Sequence, residues 1–134
     1  MREILFKGKR VDNEQWIEGS LVNNIFFRAG TNCSVPYIIN PDEYEEYCCM
    51  EDIGELAVEV LEETVSQFTG LTDKNGNKIF EGDVVRIEDF ANAVVKWRED
   101  IACWTLQGYI IGNTWDSSML EVIGNIHDNQ ELLT

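Results

Sequence analysis

Asp73-Lys74-Asn75-Gly76-Asn77-Lys78-Ile79-Phe80-Glu81-Gly82-Asp83-Val84-Val85 is the stretch that decides the fold. Residues 73–78 predict a hairpin-type turn around the Asn75-Gly76 pair, since Asn and Gly accept the backbone such a turn imposes. Ile79-Phe80 follows as a short strand. In the second turn, Glu81-Gly82-Asp83, Gly82 allows the tight bend and the Asp83 carboxylate can bond the turn's amides. Val84-Val85-Arg86-Ile87-Glu88 is then a β-branched strand. The 73–77 run superficially resembles a calcium loop. Val84 stands where the closing glutamate belongs, however, so the hairpin turn is the better explanation.

Working outward toward the C-terminus, residues 93–97, 101–106, 109–111 and 120–126 read as strands, with Arg98-Glu99-Asp100 turning between two of them. Toward the N-terminus, residues 4–11 and 16–22 predict a hairpin across Asp12-Asn13-Glu14-Gln15. Residues 25–28 and 35–39 suggest a second hairpin, with Pro36 at a strand start or edge. Tyr44, Tyr47 and Met50, spaced by three, suit a short helix over 42–52, with a loop as the competing reading. Leu56 to Val65 favours a strand on its β-branched content, although Glu55, Glu59, Glu62 and Glu63 could line a helix.

Short strands at regular spacing give the fold class: mostly β. The expected form is one domain over 1–134. Residues 1–63 hold N-terminal hairpins and an acidic segment, and 64–134 form a barrel-like, SH3-like half. One or two short helices accompany them, and an α+β arrangement is the alternative. The 134 residues suffice for one self-sufficient core, and 44% hydrophobic with 10% aromatic residues excludes a chain disordered throughout.

Charge is the unusual bulk property. The formal net charge is −15, which argues against direct nucleic-acid binding and against anionic membranes. It favours a basic protein partner, if any. No Lys or Arg occurs between Arg28 and Lys74, a gap that holds Asp42, Glu43, Glu45, Glu46, Glu51, Asp52 and further glutamates. After Arg98 there is again no basic residue. No long apolar run predicts a membrane span. The N-terminal residues read as a strand start rather than a signal peptide, which points to the cytoplasm. Cys33, Cys48, Cys49 and Cys103 are then expected as reduced thiols.

Three blocks resemble the YopX proteins, a phage and prophage family. They are residues 2–9 with Trp16-Ile17-Glu18-Gly19-Ser20; residues 63–76 continuing through Lys78 to Val85; and Glu121-Val122-Ile123-Gly124-Asn125-Ile126-His127-Asp128-Asn129 with Glu131-Leu132-Leu133. The resemblance implies a β-rich fold with a barrel-like C-terminal half, and it carries no catalytic residue. Where the family often has Asn-Gly in the first turn, this chain has Asn13-Glu14. The matched blocks are turn formers, apolar residues and glycines, which read as scaffold.

Chemistry has few candidates. His127 is the sole histidine, so any Cys-His or Ser-His-Asp site must use it; a surface histidine is the simpler reading. Only Cys48 and Cys49 are close in sequence, which is not zinc-ligand spacing. No Walker loop or dinucleotide glycine motif occurs, and no cofactor or metal site is expected. Trp97 reads as core and Trp115 as the exposed aromatic. The leading function is therefore a non-enzymatic interaction or accessory module using the acidic Asp42, Glu43, Glu45, Glu46, Glu51 and Asp52 with Trp115. A small hydrolase is the alternative. A self-assembling module, with Ile38 or Ile110 on a free strand edge, is the third reading.

Overall fold

The computed structural model describes residues 3–23, 36–40, 57–88, 91–106, 109–111 and 116–133. Within them the chain forms eleven strands and short 3₁₀ turns. It divides between Gln67 and Phe68 into two compact units.

In the N-terminal unit, β1 (Phe6–Lys9) and β2 (Trp16–Asn23) are the predicted hairpin. β2 pairs with β3 (Pro36–Ile39), and β3 with β4 (Ala57–Glu59). Pro36 opens its strand, as a residue without an N–H must if it is not to break the ladder. Ile38 is fully buried on a strand flanked on both sides, so it does not lie on a free edge as the self-assembly reading required. The other side of β1 pairs with the start of β5 (Ser66–Thr72) through Phe6 with Gln67 and Lys7 with Ser66. The Thr64 hydroxyl, in the 3₁₀ turn Glu62–Thr64, accepts the Lys9 amide and donates to the Leu61 carbonyl. The basic residues of β1 are turned to local use, since Lys7 Nζ lies 4.7 Å and Lys9 Nζ 5.6 Å from the Trp16 ring centroid.

In the C-terminal unit, β5 pairs with β6 (Lys78–Phe80) around the predicted 73–78 turn. The sequence pattern assigns no element to residues 66–72, because Gly70 and the polar residues blur the alternation. β7 (Asp83–Ile87), β8 (Asn92–Arg98), β9 (Cys103–Leu106), β10 (Tyr109–Ile110) and β11 (Leu120–Asn125) form a five-stranded antiparallel sheet in the order β10-β9-β8-β7-β11. The mostly-β expectation holds. Among the described residues the sheet is open, with β10 and β11 as its edges, so the barrel-like form is corrected to an open sheet. Ile110 does lie on an edge strand. The short helix expected over 42–52 falls outside the described residues.

The core of this unit is Ile79, Val85, Ile87, Ala93, Val95, Trp104, Leu106 and Leu120. Burying each such side chain contributes about 1.5–3 kcal/mol, enough for one sheet face to hold the unit. Gly82, at φ +83°, makes the turn into β7, and the Asp83 carboxylate accepts the Phe80 amide at 2.8 Å, as its position in the sequence suggests.

Two local constraints give opposite predictions. A Cβ at Gly19 would overlap the Ile39 carbonyl, so Gly19→Ala should lower unfolding stability by about 1–3 kcal/mol in urea titration. Glu14 holds φ +59° in the first turn, stabilised there by its amide's bond to the Arg10 carbonyl at 2.9 Å. Glycine carries no Cβ penalty in that region. Glu14→Gly should therefore raise stability by about 1 kcal/mol, a thermal-midpoint gain of roughly 3–5 °C.

Candidate interaction surface

The residues singled out from the sequence as a surface, Asp42, Glu43, Glu45, Glu46, Glu51, Asp52 and Trp115, lie outside the described residues, as do Cys33, Cys48 and Cys49. The described structure instead presents a different aromatic site, at the tip of the β8–β9 hairpin.

Arg98 pairs with Cys103 and Trp97 with Trp104 across that hairpin, closed by a turn over 99–102. The directly opposed indoles meet edge to face, with centroids 5.0 Å apart and planes at 66°. This is a favoured geometry for aromatic quadrupoles. Trp104 is buried and Trp97 is 37% exposed, which corrects the expectation that Trp97 is core. Its strand parity is that of Ala93 and Val95, both buried. But Trp97 comes where β8 runs out toward its turn, past the side chains that would cover it. Ile101, in the turn, is also exposed. Ala102 takes φ +51°, a left-handed position that a non-glycine residue occupies under strain.

Beside the two indoles runs a half-open groove of about 280 Å³, walled by Leu71, Trp97, Trp104 and Ile111 and completed by Thr69, Ala102 and Cys103. Its hydroxyl and thiol are committed internally. The Thr69 hydroxyl donates to the Ile79 carbonyl and accepts the Leu71 amide, and the Cys103 thiol donates to the Ile101 carbonyl at 3.2 Å. Trp104 Nε1 is buried with no acceptor among the described residues. The surface is thus apolar and aromatic. The Arg98 guanidinium next to it holds Asp100 below the ordinary carboxylate range by hydrogen bonding. The turn expected over Arg98-Glu99-Asp100 is displaced: Arg98 ends β8 and the turn runs over 99–102. This shift, which sets Trp97 opposite Trp104, is why the sequence pattern missed the tryptophan pair.

Asp73, with Asp83, is one of two buried carboxylates among the described residues of the unit. Its Oδ1 accepts the amides of Asn75 and Asn77, both at 2.9 Å, and its Oδ2 accepts the amide of Val122 on β11 at 2.9 Å. Burial works to raise its pKa, but the bonds from Val122, Asn77 and Asn75 outweigh it and hold the carboxyl below its usual value. Its oxygens are spent on the fold, as the hairpin reading of 73–77 requires. His127 is half-buried in the turn after β11, where its amide donates to the Asn125 side chain at 3.0 Å. Among the described residues no three His, Cys, Asp or Glu side chains gather as a metal site, and no helix is long and apolar enough to cross a membrane.

These features define a mostly-β protein with antiparallel sheets and a tryptophan-walled groove. A family model described as YopX protein matches residues 11–134, and the chain belongs to the YopX family. It is similar to the crystal structure of protein EF1440 from Enterococcus faecalis, with 19% identity, full coverage of both chains and a TM-score of 0.57. At that identity the likeness shows the fold alone. A search of curated proteins found no match.

The Asp73 arrangement makes a pH-dependent prediction. Because its folded pKa lies below the unfolded value of about 3.8, its contribution is complete above that pH and is lost as pH falls through the folded value. Asp73→Ala leaves buried amides unpaired and should cost about 2–4 kcal/mol at pH 7. The gap between wild type and variant, followed by urea unfolding at descending pH, should narrow as pH falls below 3.8. A gap unchanged in acid would contradict this account.

Proposed function

We propose that the protein is a non-enzymatic interaction module of a phage or prophage, acting in the cytoplasm of a bacterial host on a basic protein partner. The observation that carries this reading is Trp97, held edge-on to Trp104 at the mouth of an apolar groove with 37% of its surface exposed. Exposed tryptophans are over-represented where proteins bind one another. The net charge of −15 supports a basic partner and disfavours nucleic acid. The acidic residues Asp42, Glu43, Glu45, Glu46, Glu51 and Asp52, with Trp115, belong to the same reading as the source of attraction and a further aromatic contact.

The test is affinity capture from host lysate at low and moderate salt. Three baits are compared: the native chain, Trp97→Ala, and a variant with those six acids changed to their amides. The expected result is a basic protein retained by the native chain, released by salt and retained less by both variants. Capture of nothing above a mock bait, or of the same proteins in equal amount by all three, would overturn the reading.

A further inference from the structure

The groove beside Trp97 and Trp104 belongs to a segment of skewed charge. Residues 99–134 contain Glu99, Asp100, Asp116, Glu121, Asp128 and Glu131 and no Lys or Arg. Of the five basic residues in 68–134, four are engaged at home, and Lys96 is exposed on β8 beside Trp97. Lys74 and Arg86 approach Glu121 at 3.7 and 4.0 Å, Arg98 pairs with Asp100, and Lys78 Nζ sits 6.0 Å from the Phe68 ring centroid. The walls of the groove are apolar and its hydroxyl and thiol are satisfied internally. An occupant is therefore held by packing inside the groove, and the net charge of −15 favours a basic one.

Size narrows the occupant further. Pockets for cofactors and other small organic ligands run from about 300 to 1,000 Å³. At about 280 Å³ and open on one side, this groove is at the small end and matches a single large side chain. A second copy of the chain would bring another −15 of charge to the contact, and like-charge approach opposes association.

Resting on the interaction-module reading, we infer that the groove takes one Leu, Met or Phe side chain from a short, extended segment of a partner protein whose flanking residues are Lys and Arg. Trp97 lies at its exposed rim, where it offers its ring to a flanking cation as well as its edge to the anchor. Trp104 forms the buried wall against which the anchor packs.

The test uses the full chain and synthetic acetylated peptides with a central Leu or Phe flanked by Lys and Arg, followed by calorimetry and by the indole N–H resonances of Trp97 and Trp104. The comparison peptides carry a central Ala, or Ser in place of the basic flanks. The expected result is saturable binding with movement of both indole signals. Affinity should fall roughly tenfold or more for the Ala-centred peptide and for Trp97→Ala, and severalfold for the Ser-flanked peptide and at raised salt. Should Trp97→Ala lose its fold, the indole shifts of the native chain decide the matter without it. Indole signals unmoved by every peptide would overturn the inference. So would equal binding of the Ala-centred or Ser-flanked peptide. A lysate partner captured in a salt-sensitive way, with the indole signals still unmoved, would overturn the groove assignment while leaving the interaction-module reading in place. Failure of both experiments removes both.

Discussion

The C-terminal unit depends on one carboxylate. Asp73 lies in the turn between β5 and β6, yet its second oxygen reaches the Val122 amide, 49 residues later in the chain. The neighbouring Lys74 amide donates to the Leu120 carbonyl at 3.0 Å. A turn and a strand end that share no ladder are thus joined by two bonds. The side chain of Lys74 and that of Arg86 then converge on Glu121. These exposed ion pairs add little by themselves; the buried carboxylate, with its fixed amides, sets the register. Once Leu120 is placed against Ile87, it fills the core beside Ile79 and Val85.

The same scaffold explains why the groove stands where it does. β8 buries Ala93 and Val95, while its outer end carries Trp97 beyond the packed face. The pairing of Trp97 with Trp104 keeps the outer ring from collapsing onto solvent-facing backbone, and Leu71 and Ile111 complete the apolar wall. A site built at the end of a rigid hairpin keeps its shape because the strands, rather than a long loop, position it. Ala102 bears the backbone strain of that tight return.

Legibility followed the strength of the local signal. The Asn75-Gly76 turn and the Gly82-Asp83 turn were readable because their residues are chosen by backbone geometry, and Asp83 bonds the Phe80 amide as its position suggests. β5 was not readable, since Thr69 and Gly70 interrupt a pattern that only its partners β1 and β6 make sense of. Trp97 misled because alternation tells which way a side chain points and not how far the core extends along the strand. Asp73's reach to Val122 is long-range, and no local pattern encodes it. The acidic residues of the 42–52 stretch lie outside the described residues.

The order of pairing in the five-stranded sheet has a temporal consequence. β7, β8 and β9 each pair with the next strand in sequence, so their hairpins close within a few residues of synthesis. The other edge of β7 is filled by β11, which begins 33 residues after β7 ends. Until that strand has left the ribosome, β7 carries an unpaired row of amides and carbonyls, and Asp73 lacks the Val122 amide. Unpaired strand edges are the surfaces through which nascent chains associate wrongly. The last strand is thus both the final piece of the core and the cover for that edge.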